Sequence, residues 1–204
     1  MMGLIKKFTN PKEGGNWWRK LGCDRENDCF EKFWRGDQVQ VQFKNWTITL
    51  NTDNVTNGES NVTVTRMRAP YVILGKLRLK IYRQDFLSKL GKTFGARYIE
   101  SGDHEFDRDF FIQGNDEKKI KSLLAQRGIR QLIQAQPMIN LEVKHNEGWF
   151  AKNFPPEVDL LCFQTSGFIN DAERLMELFT LFAEILTHLC YLGVASPDRP
   201  KIEL

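Results

Sequence analysis

The chain has 204 residues, room for one large domain or two small ones, and its 41% hydrophobic and 27% charged residues exclude a disordered or fibrous protein. Fifteen Phe and five Trp supply enough buried area for a core that needs no disulfide or metal staple. The formal net charge of +3 is too small to define a partner, so the distribution of charge along the chain matters more than its sum.

Residues 1–37 read as an N-terminal arm docked on the body. Pro11, Gly14, Gly15, Gly22 and Gly36 break it up, while Trp17, Trp18, Phe30, Phe33 and Trp34 give it apolar surface to bury. Residues 38–204 then read as a single α+β domain. Gln38 to Thr49 alternates apolar and polar residues, the period of a half-buried strand. Asn51 to Ser60 reads as a polar turn, with Asn57-Gly58 its hairpin signal. Asn61 to Arg68 is a second alternating strand, which Ala69-Pro70 should break, and a third runs from Gly75 to Tyr82. Asp85 suits the N-cap of a helix carrying Phe86, Leu87, Leu90 and Phe94.

Phe110 to Ile112 is a short strand. Asn115 should cap a helix with Ile120, Leu123 and Leu124 on its core side, ended by Gly128. A further helix carries Ile129, Leu132 and Ile133 and stops before Pro137. Met138 to Lys144 and Trp149 to Phe154 bracket a turn at 145–148, and Leu160 to Ile169 is another strand. The clearest element comes last. Asn170 with Glu173 matches a capping box, and Leu175, Leu178, Phe179, Phe182, Ile185, Leu186 and Leu189 make one apolar stripe over Asp171 to Leu192. Runs of strands with inserted short helices and a long closing helix predict an α+β fold: a mainly antiparallel sheet with the C-terminal helix packed on it.

No window reaches the roughly 18 apolar residues of a membrane-crossing helix, and the first residues meet Lys6 and Lys7 too early for a secretory leader. Cys162 and Cys190 lie in apolar runs, and Cys23 and Cys29 lack zinc-ligand spacing. Three Asn-x-Thr triplets, at Asn45, Asn54 and Asn61, read as strand and turn residues rather than glycan sites. A cytoplasmic protein without metal or cofactor is the expectation.

Residues 66–97 hold nine basic groups against Asp85, and residues 100–117 hold seven acids against Arg108. Alternation from Lys76 to Ile81 assigns Leu77, Leu79 and Ile81 to the core and Lys76, Arg78 and Lys80 to the opposite face. If this strand pairs with the preceding one, Arg66 and Arg68 join them. Five cations on one sheet face suit phosphate groups or an acidic partner. The competing structural reading is that they guard an edge strand or pair with the 100–117 acids inside the fold. By the binding reading, Arg78→Glu leaves stability unchanged.

The cluster Asp103-His104-Glu105-Phe106-Asp107-Arg108-Asp109 has the groups a metal-dependent hydrolase uses, but no established ligand spacing. The Trp17-Trp18-Arg19-Lys20 segment mixes aromatics and cations, yet acids follow at once and nucleic acid is disfavoured. Phe106 to Phe110, Gly114 to Lys118, Leu123-Leu124 and Ile129-Arg130 together resemble uncharacterised bacterial domain-of-unknown-function families. That resemblance implies a bacterial cytoplasmic protein and transfers no residue role. The reading that results is a non-enzymatic binding module contacting an anionic or acidic partner, or a second copy of itself, through Arg66, Arg68, Lys76, Arg78 and Lys80. The alternative is a hydrolase built on Asp103–Asp109 with His104.

Overall fold

A computed structural model describes residues 38–57, 60–84, 97–145 and 155–202. Their elements are β1 (Val39–Phe43), β2 (Trp46–Asn57), β3 (Ser60–Val72), β4 (Leu79–Arg83), β5 (Arg97–Tyr98), α1 (His104–Asp109), β6 (Phe110–Gly114), α2 (Glu117–Leu124), α3 (Arg127–Gln134), β7 (Asn140–Lys144), β8 (Val158–Ser166) and α4 (Ala172–Tyr191). The fold is α+β. The strands form one sheet in the order β1-β2-β3-β8-β7-β4-β6-β5, every neighbouring pair antiparallel.

Register explains why one face is core. Val39, Leu50, Met67, Phe163, Leu141, Ile81 and Ile112 stand opposite one another in a row across seven strands, all buried. The long helix α4 packs its stripe on this face: Leu175, Leu178, Phe179, Phe182, Ile185, Leu186 and Leu189 are buried and join the sheet in one cluster. Leu77, Leu79 and Ile81 are buried as their alternation implied. Displaced by one residue, the other face carries Thr49, Arg68, Cys162, Glu142, Lys80, Gln113 and Tyr98 in an equally continuous row.

Several expected boundaries move, each for a physical reason. Gln38 to Thr49 is two strands, because Lys44 takes a positive φ of 51° and turns the chain so that Phe43 faces Trp46. The polar stretch Asn51 to Asn57 is strand, not turn: its backbone groups pair with β3. The hairpin signalled by Asn57-Gly58 forms, but Asn57 itself belongs to the strand and faces Ser60. Pro70 does not break β3. Pairing with β2 ends at Arg68, so Pro70 sits where the strand has a free edge on that side. The third strand begins at Leu79 rather than Gly75.

Caps shift as well. Asp116, not Asn115, caps α2 by accepting from the Lys119 amide, and Asn115 instead accepts from the Arg78 amide. Asp171, not Asn170, caps α4 through the Glu173 and Arg174 amides. Gly128 lies within α3. Gly193, with φ 65°, follows the end of α4 in the left-handed conformation that glycine adopts freely. The N-terminal arm 1–37, the helix expected after Asp85 and the strand Trp149 to Phe154 lie outside the described residues.

No helix among the described residues is long and apolar enough to cross a membrane.

Candidate functional site

The basic hairpin does not form as expected. β3 and β4 are not neighbours, since β8 and β7 lie between them. The row register still brings Arg66, Arg68 and Lys80 to the same sheet face, the one opposite α4, spread across four strands. Lys76 is exposed before β4. Arg78 departs from the group and turns to a buried carboxylate.

Arg66, Arg68, Arg78 and Lys80 each find a nearby partner, and none of these partners is an acid of the 100–117 block. Arg66 Nη1 meets Asp53 Oδ2 at 2.8 Å, and Arg68 Nη2 donates to Asn51 Oδ1 at 3.1 Å. Lys80 Nζ lies 2.9 Å from Glu142 Oε1, and Lys144 Nζ lies 3.7 Å from Glu142 Oε2. Two ammonium groups therefore share one carboxylate. Lys80 also stands 5.9 Å from the centre of the Tyr82 ring, which continues through Phe111 to Tyr98 in tilted contacts at 5.2 and 5.1 Å.

Arg78 belongs to a second cluster. Its Nη1 donates to Asp159 Oδ2 at 2.9 Å and to the Leu77 carbonyl at 2.8 Å. The other carboxylate oxygen of Asp159 is 3.1 Å from His145 Nδ1. The Asp159 side chain is 0% exposed, whereas those of Arg78 and His145 are 41% and 42% exposed. Tyr71 faces Asp159 across β3 and β8. Its hydroxyl is buried and has no hydrogen-bond partner among the described residues. Burial, reinforced by the Asp159 charge and partly offset by Arg78, holds the phenol far above its ordinary pKa, so it stays a donor.

The acids of 100–117 organise their own segment. Residues His104–Asp109 are helix, so Asp103, Glu105, Asp107 and Asp109 do not line one strand face. Asp103 caps the helix through the Phe106 amide and pairs with Arg130 at 3.1 Å, and both interactions hold its carboxyl below the usual range. Asp107 accepts from the Ser101 and Gly102 amides. Asp116 and Glu117 pair with Lys119 and Lys121 along α2. No group of three or more His, Cys, Asp or Glu placed to hold a metal occurs among the described residues.

A shallow depression at one end of the polar face is lined by Met138, Ile139, Asn140, Gln164, Thr165 and Ser166.

Sequence reasoning singled out Arg78 but missed Asp159, His145 and Tyr71. One signal was present: Asp159 is the lone charge in the apolar run Val158 to Phe163. An acid on a buried strand needs cationic or donor partners, because an isolated buried carboxylate is costly. The partners themselves lie 81 and 14 residues away, beyond any local pattern.

The fold and these clusters define an α+β sheet protein with one face packed by helices and a polar, charge-paired opposite face. No protein-family model matches the chain, and no curated protein does. Among solved structures it is similar to the mycobacterial trehalose monomycolate transport factor A, TtfA, at 9% identity and a TM-score of 0.42, covering 82% of this chain and 75% of that one.

Proposed function

We propose that the chain is a non-enzymatic binding module that takes an acidic protein segment on the polar sheet face around Lys80 and Lys144. The observation that carries this reading is the shared carboxylate: Glu142 lies 2.9 and 3.7 Å from the two ammonium groups, and among the described residues they have no other ion-pair partner, so two positive charges meet one negative charge. Arg66 and the Tyr82–Phe111–Tyr98 aromatics extend the same face. The core draws on the opposite side chains of these strands, and the side chains of Lys80, Glu142 and Lys144 keep 29%, 20% and 30% of their surface exposed. Charge complementarity of this kind raises association rate and gives specificity.

A cytoplasmic setting belongs to the same reading, supported by Cys162 and Cys190 being free thiols. The test is binding of poly-glutamate to wild type and to Lys80→Glu/Lys144→Glu at several salt concentrations. The double reversal should retain the fold and lose most binding, and wild-type affinity should fall steeply with salt. Unchanged affinity in the variant refutes the reading. A dimer in sedimentation that the double reversal dissolves would replace the acidic partner with a second copy.

A further inference from the structure

We propose that Arg78, His145 and Tyr71 bind one small oxyanion, the phosphate or carboxylate group of a ligand, with Asp159 as the buried carboxylate that positions them. This site is distinct from the Lys80–Lys144 surface and does not depend on it.

The case begins with Asp159. Completely buried, it spends one oxygen on Arg78 Nη1 and the other on His145 Nδ1. Its charge is thereby taken up from both sides, and it acts as an anchor rather than a ligand-facing group. Carboxylates behind histidines orient the ring and leave the far nitrogen facing outward, a recurrent way of building a recognition site from behind. Here the same carboxylate holds a guanidinium too. With Nη1 committed to Asp159 and the Leu77 carbonyl, Arg78 keeps Nε and Nη2 without a partner among the described residues. Those atoms form the planar fork that matches an oxyanion. Arg78 is further pinned at its backbone, where its amide donates to Asn115 Oδ1 at 2.7 Å.

The second, independent observation is Tyr71. Its side chain is 0% exposed, its hydroxyl has no partner among the described residues, and its phenol stays protonated beside Asp159 and Arg78. A buried donor left unpaired is rare in folded proteins and calls for an acceptor. The hydroxyl makes no hydrogen bond to Asp159 either, so its acceptor comes from elsewhere. An oxyanion entering past the solvent-reaching ends of Arg78 and His145 would supply it. The donors are then a guanidinium edge and a phenol grouped around Asp159, joined by the far nitrogen of His145 when that ring carries both protons. Selection between phosphate and carboxylate rests on the number of oxygens presented, which the geometry leaves to the assay.

The experiment uses the full chain and measures melting temperature and isothermal titration heats with inorganic phosphate in one arm and acetate in the other, at constant ionic strength. Wild type should show a saturable rise in melting temperature in at least one arm, because a ligand bound only by the native state stabilises it. Tyr71→Phe removes the unpartnered hydroxyl and nothing else. Without ligand it should melt at or above the wild-type temperature, and it should bind the anion about tenfold more weakly, the loss of one buried hydrogen bond. Arg78→Gln should abolish the shift, and if that variant fails to fold, Tyr71→Phe decides alone. Lys80→Glu/Lys144→Glu should keep the full phosphate or acetate response, which separates this site from the proposed partner surface. The proposal is overturned if neither anion gives a saturable shift in wild type, or if Tyr71→Phe binds as tightly. A Tyr71→Phe protein that melts well below wild type without ligand would also overturn it, since the hydroxyl would then already be satisfied.

Discussion

Truncating Phe182 to Ala should remove a substantial part of the stability of the whole molecule. Phe182 is fully buried near the middle of α4, a 20-residue helix about 30 Å long. Its neighbours along the stripe, Leu178, Phe179, Leu181, Ile185 and Leu186, are at most 3% exposed, so no water reaches the ring from any side of the helix. Burying such a side chain is worth about 1.5–3 kcal/mol by transfer. The cavity left by truncation adds to that, because close-packed neighbours relax only partly, giving a total of about 3–5 kcal/mol. Against a typical total stability of about 5–15 kcal/mol, this shift is measurable and can be decisive. Urea unfolding followed by Trp fluorescence should show a lower midpoint with an unchanged slope. Phe182→Leu, which keeps much of the volume, should lose far less, and Tyr191→Ala at an 81% exposed position on the same helix should stay within about 0.5 kcal/mol. A loss under about 1 kcal/mol in Phe182→Ala would refute the packing of α4 on the sheet as drawn.

Two further outcomes follow from individual residues. Arg78→Glu, expected from alternation alone to be a neutral surface change, should instead destabilise by about 1–3 kcal/mol in a urea titration, because it places a carboxylate against buried Asp159; the partial exposure of Arg78 keeps the cost below that of a fully buried pair. His188 is held below its ordinary pKa of 6.5 by burial, with the Ser122 carbonyl and Glu184 opposing. The unfolded chain therefore takes up the proton first as pH falls, so the contribution of His188 is present above about pH 6.5 and is lost below it. Urea titrations at pH 7.5 and 5.5 should show a larger loss in wild type than in His188→Gln, and equal losses would remove His188 as the cause.

Much of the fold is legible in the chain because periodicity is a local property. The α4 stripe and the alternation of Leu77, Leu79 and Ile81 each repeat at the spacing of one element, and each of these side chains is buried where that spacing put it. The caps were nearly readable, with Asp116 and Asp171 each one residue past the expected Asn, since neighbouring Asn and Asp compete for the same amides. Asn51 to Asn57 shows where local reading ends. Six polar residues and Val55, with Asn and Asp at four of the seven positions, are strand because β3 offers their backbone a full ladder, and a partner strand outweighs propensity.

The candidate sites depend more heavily on long-range pairing. Alternation put Lys80 on the polar face, but only the insertion of β8 and β7 between β3 and β4 gave it Glu142 as a partner and separated it from Arg66 and Arg68. Arg78 shares the parity of Lys80, yet the end of β8 offers it Asp159, so two cations of one run serve opposite surroundings. Which residues alternate is settled within a single strand by the geometry of the pleat. Which charge meets which is settled by strand order, and strand order arises from burying all the apolar faces at once, a sum over the whole chain that no short window contains.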